Sequence, residues 1–494
     1  MSTEKDSYKQ IFKATSIFGG IQVFNILISI IKSKIIALLL GPAGLGIISI
    51  FNSTSALLAS FTNLGINISS VKYIATASQN ENPNVLPKMV ILIKKLLWVT
   101  GILGLLATVG LAPWLSQVSF GNKSYTVSFG LIGISLLALQ ISNGQNAILQ
   151  GMRKVKLIAL SSLLGAFLGL IISLPLFFFF KQNGIVPALV LSTIASAITS
   201  WYFLRKVQIP NFQLTYQSLK KDGIEIIRLG FLVSLTSMLP VTAAYLLRIF
   251  IVNVGNVEDV GLYTAGFAIV GTYVGMVFSA MSTDYFPSLA AVADDNKKCE
   301  EKVNQQILMS ILILAPLLVT LLVFIKLGIV ILYSAKFLGI IKLIQWAALG
   351  IFFQSFSFCI AYLFLAKGHS KLFFWNELLP NIYLLVLNCV SYFIWGIEGL
   401  GVSFLVGYFF YFLQVYLVVR NKYGFKLDSK IMKICLFQFL ICLSAFLIVY
   451  FLNPVLTYII GGLLIGLSFY ISLHQLEKKI DFLKNTTIRL IKKK

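Results

Sequence analysis

The sequence predicts an all-α polytopic membrane protein. Of its 494 residues 58% are hydrophobic and only 12% are charged, where a soluble domain carries about 25%. The charges that exist fall in short gaps between long, continuously apolar runs. A closed barrel is excluded, because its strands would alternate apolar and polar positions. The mean hydropathy of +0.90 agrees with this reading.

A helix needs about 20 apolar residues to cross the hydrocarbon. About fourteen runs meet that length, at 15–39, 45–70, 89–112, 125–149, 157–180, 185–204, 229–253, 262–283, 304–325, 340–365, 372–395, 399–419, 434–452 and 456–475. With the N-terminus placed inside, 32 of the 40 basic residues lie in cytoplasmic segments and 5 in the opposite loops. That asymmetry places both termini in the cytoplasm. It also explains the net charge of +23 without nucleic acid.

The chain looks duplicated at an offset near 214–215. Lys34 pairs with Arg248, Gly41 with Gly255, Lys156 with Lys371, Gly184 with Gly399 and Arg205 with Arg420. Six spans separate the copies, so both run in the same direction, as a parallel repeat. The expected architecture is two six-helix lobes around a central cavity, related by a pseudo-two-fold axis, plus two C-terminal helices. The boundaries are 1–206 for the first lobe, 207–228 for a linker, 229–420 for the second lobe and 421–476 for the appended spans. Residues 477–494 form a basic amphipathic tail, with Leu476, Ile480, Leu483 and Leu490 at helical spacing, suited to an anionic leaflet.

Lys32, Lys34 and Arg248 fall inside spans and away from their cytoplasmic ends, where a charge costs up to about 2.5–3.5 kcal/mol on insertion scales. They either snorkel to the headgroups or face a wet cavity between the lobes. Lys34 and Arg248 occupy corresponding positions, as a site at a repeat interface requires. Lys32 points some 200° away from Lys34 on an ideal helix. An electropositive cavity suits an anionic ligand such as a diphosphate, which Arg grips with two donors. Asn25, Asn52, Asn63 and Gln140 add neutral polar groups within spans, fit either for sugar hydroxyls or for holding helices together.

The first six spans contain no acidic residue. A cation-coupled drug antiporter usually needs a membrane carboxylate there, so that alternative is disfavoured. Glu377 is a candidate coupling group in the second half. No Walker lysine follows the Gly-rich stretch LGPAGLG, so the chain carries no ATP motor. Five cysteines form no C-x-x-C pair and two histidines offer no metal set, so no cofactor is expected. A membrane polysaccharide polymerase or glycosyltransferase would place catalytic groups in large outer loops, and these loops are short.

Three stretches, KSKIIALLLGPAGLGIISIFNS, VGLYTAGFAI and FLAKGHSKLFFWNELLPNIYLLVL, resemble Wzx-type polysaccharide flippases of the multidrug/oligosaccharidyl-lipid/polysaccharide exporter (MOP) superfamily. The resemblance covers about residues 10–420 and is closest to O-antigen and enterobacterial-common-antigen flippases. It implies alternating access for an undecaprenyl-diphosphate-linked oligosaccharide moved from inner to outer leaflet. It implies that Lys34 and Arg248 engage the diphosphate, that no catalytic residue exists, and that other polysaccharide-assembly membrane proteins are candidate partners. The last two spans resemble the extra pair of lipid II flippases.

Overall fold

The protein is described here by a computed structural model covering residues 24–210, 212 and 216–491. Gln22 and the first 23 residues lie outside the described range. The described residues are helical and contain no strand. The helices are α1 (24–39), α2 (Gly41–Thr62), α3 (Ile66–Ser78), α4 (Val85–Phe120), α5 (Thr126–Gly151), α6 (Val155–Phe180) and α7 (Ile185–Arg205). They continue as α8 (Tyr216–Val254), α9 (Val257–Ala290), α10 (Asn296–Val323), the short α11 (Ile325–Leu332), α12 (Ile341–Ala366), α13 (Ser370–Tyr423), α14 (Ser429–Phe451) and α15 (Pro454–Ile491).

Among the described residues, ten helical stretches are long and apolar enough to cross a membrane. Two of the ten are hairpins. Residues 155–205 fold back at the 3-10 turn Lys181–Gly184, and 370–423 fold back at Gly396. Large apolar side chains such as Leu106, Phe179 and Phe393 are more than half exposed. In water that surface would drive aggregation, whereas in lipid it is the matching solvent. Trp98, Trp114, Trp201 and Trp395 are similarly open, as interfacial anchors are.

The duplication is written in the backbone. Arg153 and Gly368, 215 residues apart, both adopt positive φ, at 57° and 70°. The amides that follow close the same turn, Lys154 N–H to Leu149 O at 2.9 Å and His369 N–H to Phe364 O at 3.0 Å. This is the Schellman ending of a helix. Lys181 (φ 48°, ψ −124°) and Gly396 (φ 58°, ψ −140°) are the next matched pair. Three residues on, a Cβ on Gly184 would lie 2.2 Å from Leu176 O, and one on Gly399 would lie 2.0 Å from Ser391 O. Both turns therefore need glycine at the closing position.

At the matched pair 181/396 only one copy has glycine. A lysine in that conformation carries backbone strain of about 1–3 kcal/mol. Lys181→Gly is expected to raise the thermal unfolding midpoint of the detergent-purified protein, and Gly396→Lys to lower it. Opposite signs at equivalent turns are the readout.

The chain divides into two compact units. The first runs to Gly261 and takes in Leu332–Ser334; the second holds Leu262–Ile331 and Ala335 onward. The first unit thus includes α8 and the first residues of α9. Its core joins α3, α4, α5, α7 and α8 through Ile66, Ile74, Leu92, Ile93, Ile148, Phe203 and Ile226. In the second unit α10 packs against α12, α14 and α15. Gln438 of α14 ties the last two helices together, donating to Ser472 Oγ at 3.0 Å and accepting from Ser468 Oγ at 2.8 Å. The tail does not separate from the last span: α15 is helical through Ile491.

The run 45–70, read as one span, is two helices. Leu64 and Gly65 both adopt positive φ between α2 and α3. The break lies against α8. A Cβ on Gly65 would sit 1.9 Å from Gly230 O, so the backbones touch directly. Near the other end of α2 the same thing happens with the start of α9. A Cβ on Gly46 would lie 2.0 Å from Val257 O, and one on Gly261 would lie 1.8 Å from Pro42 O. Such small-residue contacts are how membrane helices approach closely.

Candidate substrate-binding residues in the membrane helices

Arg248 lies on α8 and is half-buried. Its Nε donates to Ser49 Oγ at 2.8 Å and its Nη1 to Ala244 O, one turn back, at 2.8 Å. Two donors of the fork on separate acceptors set the plane of the guanidinium. Ser49 is on α2, and Asn52, one turn along the same face, is exposed. The structure therefore brings Arg248 and Ser49 together, with Asn52 on the same ridge. Ser49 was not legible as a partner, since a lone serine in an apolar run carries no signal of its own.

Lys32 and Lys34 sit on α1, both half-buried. Asn25, nearer the start of that helix, donates through Nδ2 to Ser162 Oγ of α6 at 3.2 Å. Its Oδ1 is buried without a hydrogen-bond partner among the described residues.

The other two amides lie inside helix contacts. Gln140 is 1% exposed and donates to Thr62 Oγ1 at 2.7 Å, linking α5 to α2. Asn63 is buried at the α2–α3 junction, where its Oδ1 accepts from the Asn67 amide at 3.2 Å. Among the described residues each leaves one polar atom without a hydrogen-bond partner, Gln140 Oε1 and Asn63 Nδ2.

The second unit holds a polar cluster between α12 and the two arms of α13. Tyr411 OH donates to Glu377 Oε1 at 2.7 Å, and Gln414 Nε2 donates to Asn376 Oδ1 at 2.7 Å. Gln354 of α12 donates to Tyr408 OH at 3.1 Å. The Tyr383 hydroxyl and Asn376 Nδ2 are buried with no hydrogen-bond partner among the described residues. Of this group the sequence singled out Glu377; its tyrosine partner comes from the returning arm, 34 residues on.

The described residues thus form a helical membrane protein whose two halves repeat the same turns. Two solved structures support that fold. The chain is similar to the lipid II flippase MurJ in an inward closed conformation, with a TM-score of 0.73 at 13% identity, covering 94% of this chain and 99% of that one. It is also similar to an inward-facing multidrug-resistance MATE transporter of the MOP superfamily, at TM-score 0.67 and 15% identity, covering 81% and 94%. The family described as polysaccharide biosynthesis protein matches residues 35–342. The chain belongs to that family, and the Wzx-type resemblance holds for family and fold. Over 413 residues the chain is 22% identical to the lipid III flippases of Escherichia coli (strain K12) and Shigella flexneri, covering 80% of this chain and 95% of theirs.

Proposed function

We propose that this protein is a flippase that moves an undecaprenyl-diphosphate-linked oligosaccharide, of the O-antigen repeat type, from the cytoplasmic to the outer leaflet of the bacterial inner membrane. The relatives and the fold favour a transporter over an enzyme. The observation that carries the substrate chemistry is Arg248. A guanidinium is held and oriented within an apolar helix by Ser49 Oγ and Ala244 O.

The physical need is plain. A sugar-diphosphate head cannot enter hydrocarbon unaided, because desolvating its charges is prohibitive. Arg248 and Lys34 replace water around the diphosphate, and exposed amides such as Asn52 take sugar hydroxyls. The prenyl tail stays in lipid, and no bond is made or broken. Both termini stay in the cytoplasm. Complementation of a flippase-null strain with Lys34→Ala and Arg248→Ala variants, at matched membrane abundance, tests the assignment. Wild-type activity in both variants would refute it.

Glu377 supplies the coupling group in this reading. It is a carboxyl held by a tyrosine in a buried polar cluster, so it can gain and lose a proton as its surroundings open. Glu377→Gln, fixed in the neutral shape, is expected to remove the pH dependence of flipping in proteoliposomes. An unchanged pH profile would exclude coupling at this position.

A further inference from the structure

The first unit carries a groove that none of the foregoing uses. It encloses about 710 Å³ between α4, α5 and α7, within the range of small-molecule sites. Lys94, Trp98, Gln145 and Trp201 lie toward one end, and Ile134 and Ile194 mark the other. The order follows from how the helices run. Ser200 Oγ donates to Gln145 Oε1 and Thr193 Oγ1 to Ser135 Oγ, so α5 and α7 run parallel. A Cβ on Gly144 would meet Leu97, and one on Gly101 would meet Leu137, so α4 runs antiparallel to α5. The polar groups are therefore level with one another near the basic ends of the helices. Beyond them the Arg205 guanidinium stacks on Trp201, 4.6 Å from the ring centroid.

From Gln145 to Ile134 is 11 residues of α5, about 16 Å. That is the depth of one leaflet, half of the roughly 30 Å hydrocarbon core. The walls are apolar, no acid lines the groove, and the cation stands at the mouth. We propose that this groove holds one anionic diacyl phospholipid of the basic-side leaflet, with its phosphate on Lys94 and Gln145 and a chain along α5. The depth argues for a phospholipid and against a polyprenyl chain, which far exceeds one leaflet. The proposal takes only the membrane orientation from the flippase reading.

The test reads lipid retention on the purified full-length protein, independent of transport. After delipidation the protein is exposed to phosphatidylglycerol, phosphatidylcholine or undecaprenyl phosphate in detergent, and bound copies are counted by native mass spectrometry. One phosphatidylglycerol is expected to remain where phosphatidylcholine does not. Lys94→Gln should weaken that retention about five- to tenfold, and Ala197→Phe, which fills the groove, should abolish it. Lys95→Gln, on the neighbouring face of α4, should leave it intact. Equal retention in Lys94→Gln and wild type, or equal loss in Lys95→Gln, would overturn the site. Displacement of phosphatidylglycerol by equimolar undecaprenyl phosphate would overturn the phospholipid assignment and give the groove to a prenyl tail.

Discussion

Arg248→Ala is expected to abolish complementation of a flippase-null strain while membrane abundance holds or rises. The two halves of that expectation have opposite signs for a physical reason. Removing a charge from within a span relieves insertion cost, up to about 2.5–3.5 kcal/mol at the bilayer centre, so abundance should not fall. Removing the partner of a desolvated phosphate costs about 2–5 kcal/mol of binding, at least tenfold in affinity. Arg248→Lys should fall between, since an ammonium is a point charge without the fork. Ser49→Ala keeps the charge and loses a bond that orients it, so its loss should be smaller than that of Arg248→Ala. Lys34→Arg should retain more function than Lys34→Gln. Flipping measured in proteoliposomes, with abundance by immunoblot, separates these outcomes. Full activity in Arg248→Ala would end the electrostatic account.

The second large effect is steric. Gly261→Ala places a methyl where Pro42 O stands 1.8 Å away, and Gly46→Ala does so 2.0 Å from Val257 O. Neither neighbour is a flexible side chain, so the helices themselves must separate. Overpacking of this kind costs about 1–3 kcal/mol and occasionally more, and valine should exceed alanine. Gly110 and Gly130 supply the control, since a Cβ at either meets nothing within 4 Å. There the same substitution should be neutral or stabilising by up to about 1 kcal/mol, from helix propensity alone. Thermal unfolding midpoints in detergent measure both. If Gly261→Ala matched Gly110→Ala, the close approach of α2 and α9 would be disproved.

Much of this was readable before any coordinates. The helical membrane fold follows from run length, and the duplication from the spacing of a few basic residues and glycines. The turn at Gly184 and Gly399 was marked because glycine appears in both copies at the right offset. What the sequence hid is which helix touches which. In a soluble helix the buried face shows as an apolar stripe. In a membrane helix the lipid face is apolar as well, so the stripe vanishes. The break at Leu64–Gly65 is invisible for that reason, and so is its contact with Gly230 on a distant helix. Gln140 and Asn63 read equally well as sugar ligands or as helix glue, and their atoms sit in helix contacts. The reach of the first unit to Gly261 likewise depends on contacts of α8, which composition does not encode. Lys94 carries no signal of its own in the sequence, because it resembles every other basic residue at a span end.

The paired turns at 181 and 396 bear on ancestry. A module that crosses the bilayer an even number of times can be copied in tandem without turning either copy over, so a single gene duplication suffices and no later inversion is needed. Lysine at 181 and glycine at 396 then make the same corner with different side chains, so the bend belongs to the copied module and not to one residue type.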